Sequence, residues 1–101
     1  MPDVCKCVVR LKVDPARMKK LFADRSSELE AVRDQARGAG ALHHFFAAGD
    51  GEVIIVDEWD EAASFQAFFD NPTIAGFMAE AGVEGPPEVR VYEVLDSPDR
   101  F

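Results

Sequence analysis

Val53-Ile54-Ile55-Val56 is the stretch that most limits what this chain can become. Four consecutive β-branched residues favour a strand, and a strand sends successive side chains to opposite faces. Both faces of any sheet holding this strand are therefore apolar. A chain of 101 residues supplies one domain with one core. One sheet face can take the chain's own helices, and the other needs a cover from elsewhere.

The rest of the chain says how many strands and helices accompany it. Val4 to Val13 alternates: Cys5, Cys7, Val9, Leu11 and Val13 form one face, while Lys6, Arg10 and Lys12, interrupted by Val8, form the other. That is a strand with one face against a core. Asp14-Pro15 joins a capping side chain to proline at the first helical position, and it opens a helix expected over about residues 15–37. Met18, Leu21, Phe22, Leu29, Val32 and Ala36 give that helix an apolar stripe, with Arg25 and Glu28 filling the gap and Gly38 and Gly40 as the stop. Ala41 to Ala48 and Glu52 to Trp59 are two β-rich runs around Gly49-Asp50-Gly51, which reads as a hairpin.

Asp60 is placed to cap a helix carrying Ala62, Phe65 and Phe69. Asn71-Pro72 repeats the cap-plus-proline pattern and restarts a helix bearing Ile74, Phe77, Met78 and Ala81, which Gly82 ends. Gly85-Pro86-Pro87 is a stiff lead into a last strand, Val89 to Leu95, followed by a polar tail over residues 96–101. The order is β-α-β-β-α-β, an α+β ferredoxin-like domain spanning residues 1–101 with a four-stranded antiparallel sheet. Its helices belong on one face, and a second copy of the chain is the simplest cover for the other. A homodimer with facing sheets is expected.

Charge excludes some partners. The formal net charge is -8, which repels a nucleic-acid backbone, so no nucleic acid is expected as partner. Residues 1–37 hold nine Lys/Arg against six Asp/Glu, a net +3, and residues 38–101 hold two against thirteen, a net -11, which together return -8. No apolar run approaches a membrane span, so no membrane is expected either. Met1-Pro2-Asp3 begins no basic-then-apolar leader, and a cytoplasmic location is the expectation. Cys5 and Cys7 are two cysteines on one strand face, half of a metal site at best; they read as small core residues, and no metal is expected.

The segment Val53-Ile-Ile-Val-Asp-Glu-Trp-Asp-Glu-Ala-Ala-Ser-Phe-Gln-Ala-Phe-Phe-Asp-Asn-Pro, with the element order and the length, resembles the antibiotic biosynthesis monooxygenase-like domains of the dimeric α+β barrel superfamily. Asp57 and Trp59 stand at that family's acidic-x-aromatic end of the third strand, and Asn71-Pro72 falls where the family breaks its helix. The resemblance covers about residues 4–95. It implies a dimeric barrel and cofactor-independent oxygenation of an aromatic polyketide or quinol. Family members often carry a histidine on the second helix where Phe68 stands here, and the haem-degrading branch pairs it with an asparagine absent from this first strand. A haem iron needs an axial ligand, so haem is disfavoured and no cofactor is expected.

His43 and His44, the only histidines, are neighbours on the second strand and point to opposite faces. One faces the helices; the other faces the side where a dimer cavity is expected. A neutral imidazole in a cavity can take a proton from an acidic phenol or enol, and His44 is the preferred candidate catalyst, although periodicity leaves the facing open. The plainer reading is a half-buried ring bonded to backbone or a carboxylate. Trp59 and Phe46 are candidates to stack on a flat ligand, Tyr92 to offer a hydroxyl, and Arg10, with Lys6, to hold an anion; the alternatives are core, seam and ion-pair roles. A small apolar or aromatic ligand is the expected partner besides a second chain. The leading functional expectation is a ligand-binding module without chemistry, and the alternative is a cofactor-independent monooxygenase.

Overall fold

The computed structural model describes residues 4–101; Met1-Pro2-Asp3, on which the expected lack of a leader rests, lies outside them. Strands β1 (Cys5–Lys12), β2 (Ala41–Gly49), β3 (Glu52–Trp59) and β4 (Glu88–Glu93) alternate with helices α1 (Pro15–Asp24), α2 (Ser26–Ala39), α3 (Ala62–Phe69) and α4 (Pro72–Ala81). The four strands form one antiparallel sheet in the order β2-β3-β1-β4, an α+β ferredoxin-like arrangement. No described helix is long and apolar enough to cross a membrane.

Register fixes which side chains share a face. On one face Cys5 lies opposite Trp59, Cys7 opposite Asp57, Val9 opposite Ile55 and Leu11 opposite Val53. All eight are buried and pack with Met18 and Leu21 of α1, Phe65 of α3 and Ala81 of α4, so the helices cover this face. The core takes the two cysteines as small apolar groups. Their sulfurs lie 3.7 Å apart, and burial, with the Cys5 contact and the Asp57 charge, pushes the Cys7 thiol up to about 12. Among the described residues no third ligating group completes a metal cluster.

No described helix lies over the opposite face. Val8 lies beside Val56, which lies beside Phe45, and Ile54 stands between Arg10 and Ala47. Lys6 pairs with Glu58 at 3.5 Å, and Arg10 with Glu52 at 2.9 Å and Glu88 at 3.5 Å.

Two capping signals act as expected. The Asp14 side chain accepts from Ala16 N at 2.9 Å and that of Asn71 from Thr73 N at 3.0 Å, each ahead of proline in the first turn. Two other expectations are corrected. The single helix over 15–37 is two helices, because Arg25 leaves helical geometry (φ -123°, ψ 29°). Its guanidinium is gripped by both carboxylate oxygens of Glu80 on α4, at 3.0 and 2.7 Å. Arg25 stands where the stripe of Met18, Leu21 and Phe22 calls for an apolar residue, so the chain turns there instead of burying a charge. Nor does Asp60 cap α3. Glu61 occupies the cap position without a side-chain bond, and Asp60 N instead donates to Gly40 O at 2.9 Å, tying the end of β3 to the α2–β2 joint. The last strand runs over Glu88–Glu93, shorter at its C-terminal end than Leu95.

Candidate functional site

Helix α2 buries none of its residues fully, and the reason is the space beneath it. Leu29, Val32 and Ala36 of α2 look across a cavity of about 570 Å³ toward Val9, Leu11, Phe46 and Ile55 of the sheet. Phe65, Phe68 and Phe69 of α3, Phe77 of α4 and Phe22 of α1 complete the walls. The volume lies within the range that encloses a drug-sized ligand, and the lining is mostly apolar, with six phenylalanines and Trp59 among it. The cavity sits between sheet and helices within one chain, not between two facing sheets where the expected dimer cavity was placed.

His44 lies opposite Asp57 in the β2–β3 register, and both face this cavity. Asp57 interrupts the apolar series Val53, Ile55, Trp59 on the buried side of β3, and its side chain is 12% exposed. Burial of a carboxylate demands partners. One oxygen lies 2.6 Å from His44 Nδ1, and the other accepts from Trp59 Nε1 at 3.1 Å. A carboxylate only accepts, so the proton between ring and acid sits on Nδ1 and the lone pair of neutral His44 is at Nε2. The His44 side chain is 44% exposed, and Nε2 makes no hydrogen bond to a described residue. The ring is held edge-on to Phe46, centroids 5.1 Å apart at 86°, and Phe46 in turn meets Phe22 at 4.8 Å. An imidazole oriented by a carboxylate thus stands in a largely apolar wall.

The other candidates divide by face. Phe46 is in the cavity wall beside His44. Trp59 also borders the cavity but is only 1% exposed, with rings of Phe65 and Phe68 at 6.0 and 5.4 Å, so its indole holds Asp57 and packs α3. Phe68, at the family's histidine position, is part of that packing. His43 contributes to the cavity's rim, while its Nε2 lies 3.6 Å from Glu58 on the open face. Arg10 and Tyr92 stand on the open face, away from the cavity: Arg10 is held by Glu52 and Glu88, and Tyr92 lies opposite Lys6 and is half exposed. The structure therefore brings together His44, Phe46 and Trp59, and separates Arg10 and Tyr92 from them.

Sequence reasoning passed over Asp57 as a partner of His44. Its signal was a lone carboxylate in the apolar alternation of β3, a position that a carboxylate occupies only when something in the fold bonds it. It also passed over Arg33 and Arg37, which line the cavity from α2.

No family model and no curated protein matches this chain. Solved structures do. SnoaB, a cofactor-independent oxygenase from Streptomyces nogalater, is 15% identical over 97% of this chain and 99% of its own, with a TM-score of 0.65. The monooxygenase from the ActVA-Orf6 gene of Streptomyces coelicolor, solved with the ligand nanaomycin D, is 20% identical over 98% and 94%, with a TM-score of 0.70. A Caulobacter crescentus protein assigned as an antibiotic biosynthesis monooxygenase is 16% identical over 94% and 92%, with a TM-score of 0.66. Identities at this level establish a shared fold, which extends over 94–98% of the chain.

Proposed function

We propose, from the fold shared with antibiotic biosynthesis monooxygenase-like proteins, that this chain binds a flat aromatic molecule in the sheet–helix cavity and oxygenates it without a cofactor. The observation that carries this is the His44–Asp57 pair in the wall of an aromatic cavity. A module that only holds an apolar ligand has no use for a buried carboxylate fixing an imidazole tautomer. The pair therefore shifts the balance from simple binding, the leading expectation of the sequence, toward chemistry.

The chemistry follows from what the site contains. His44 Nε2 removes a proton from a carbon or phenol activated by the aromatic system, and the resulting anion is delocalised over the rings. Asp57 stabilises the imidazolium formed. The carbanion gives its electron pair to dioxygen, closing a C–O bond to a peroxide anion. The imidazolium returns its proton to the distal oxygen as the O–O bond breaks. With loss of the second hydrogen from the same carbon as a proton, a CH2 group and O2 become a C=O group and water. Dioxygen is the oxidant and is itself reduced, so no electron carrier enters the balance.

The same reading includes a second copy of the chain over the open sheet face. The row Phe45–Val56–Val8 is apolar, and the flanking charges are already paired within the chain, so a facing sheet buries no bare ion.

The test is oxygen uptake with an anthrone as probe, followed by the absorbance of the quinone product. His44→Ala is expected to reduce turnover by roughly 10²–10⁴-fold, the range for a lost general base. Native mass spectrometry should still show the anthrone bound to this variant. Turnover unchanged in His44→Ala would remove His44 as the base, and binding without turnover in the native protein would return the site to a ligand-holding role.

A further inference from the structure

The polar groups of the cavity differ in burial. Asp57 is buried, whereas Glu30, Arg33 and Arg37 of α2, with Leu42, His43 and the half-exposed His44 of the edge strand β2, form the exposed rim. Arg33 and Arg37 are one helical turn apart, so their side chains leave the same side of α2 with Cβ atoms about 5–6 Å from each other. Leu29, Val32 and Ala36 of the same helix side line the cavity as well, so the two arginines border an apolar interior.

Three arginines of the chain, Arg10, Arg25 and Arg90, are tied to glutamates, and these two are not. Arg33 is bonded only through Nε, to its chain neighbour Asp34 at 3.0 Å, which leaves its two terminal nitrogens without a carboxylate. Arg37 has no carboxylate of a described residue within 4.0 Å. Both are exposed and hydrated, so their free donors are open to an incoming anion.

We infer that the ligand is an amphipathic anion: a flat aromatic body that fills the cavity, with a carboxylate at one end gripped at the rim by Arg33 and Arg37. This rests on the proposed ligand-binding reading of the same cavity and adds the ligand's charge and orientation to it. Guanidiniums offer paired donors that match a carboxylate, and two of them one turn apart present such donors from both sides. Asp57 sets the direction. Its negative charge in the inner wall repels a second carboxylate there, so the acid end stays at the rim and the opposite, uncharged edge of the ring system meets His44 Nε2. The basic half of the chain, residues 1–37 with net +3, carries this rim, whereas residues 38–101 with net -11 repel the same anion elsewhere.

Calorimetric titration with naphthoate and with its neutral carboxamide, naphthamide, tests this. The native protein is expected to bind naphthoate on the order of tenfold more tightly than naphthamide at low salt, with the margin shrinking as salt rises. In the Arg33→Gln, Arg37→Gln double variant the margin disappears while naphthamide binds as before, which shows the cavity intact. Equal affinity of the native protein for both probes overturns the anion inference and leaves the aromatic cavity standing. A margin that persists in the double variant also overturns it, by moving the anion contact elsewhere. Failure of both probes to bind the native protein overturns the inference together with the ligand-binding reading beneath it.

Discussion

Asp57 carries two obligations with two oxygens. One receives the His44 Nδ1 proton and the other the Trp59 Nε1 proton, and Asp57→Asn separates them. An amide has one acceptor oxygen and an NH2 group, so one of the two donors must now face a donor. If the NH2 turns to the imidazole, His44 shifts to the Nε2–H tautomer and its lone pair leaves the cavity. Turnover of an anthrone by Asp57→Asn is therefore expected to fall by roughly a hundredfold or more, carried by kcat and not by KM. The imidazole nitrogen NMR shifts should report the exchange of tautomers. A structural role alone leaves the tautomer of His44 unmoved; unchanged nitrogen shifts with normal kcat would reduce Asp57 to a packing residue. Cys7, opposite Asp57 on β1, is a poor nucleophile at neutral pH, because burial pushes its thiol up to about 12 and keeps it protonated.

At the level of elements, most of the fold was legible because strands and caps speak locally. The alternation of β1, the unbroken apolar run of β3 and the Asn-Pro and Asp-Pro pairs each carry their meaning within a few residues. What was not legible depended on contacts far apart in sequence. The break at Arg25 needs Glu80, fifty-five positions away, and periodicity across the break is preserved well enough that α1 and α2 read as one helix. The facing of His44 needs the β2–β3 register, which a bulge between Ala41 and His43 resets. The site followed the same rule: His44 and Phe46 were visible as residue types, whereas Asp57 gained its role only from the strand beside it. The joint that fixes this register makes a paired prediction. Gly40 has φ +120°, and a Cβ there would lie 2.5 Å from an Asp60 carboxylate oxygen, whereas a Cβ on Gly38, inside α2, meets nothing within 4 Å. Gly40→Ala should lose about 1–3 kcal/mol from backbone strain, while Gly38→Ala should gain about 0.5–1 kcal/mol from helix propensity. Thermal melts of the two variants decide it; equal midpoints would mean that the α2–β2 joint accommodates a side chain and does not set the register.

For the whole molecule, one sheet carries two separate tasks. Its helix-covered face holds a cavity that the chain's own side chains do not fill, and its other face holds an apolar row that no element of the chain covers. Ile54 and Val56 lie on that second face; Phe45 beside Val56, and Tyr92 on β4 at the far side of β1, are more than half exposed. A stable cover needs on the order of 800 Å² from each partner, and a four-stranded sheet face is of that scale. Two copies related by a twofold axis present the same patch to each other, so Val56, at the centre of the row, meets its own neighbourhood across the interface. Val56→Lys then puts a charge into the middle of both halves at once and leaves the helix-covered core untouched. Light scattering of the native protein should give twice the chain mass and Val56→Lys the chain mass itself, with helix content unchanged by circular dichroism. Because the cavity lies within one chain, the monomeric variant should still bind naphthamide. A native monomer would remove the second copy from the architecture, and a Val56→Lys dimer would move the interface off this face.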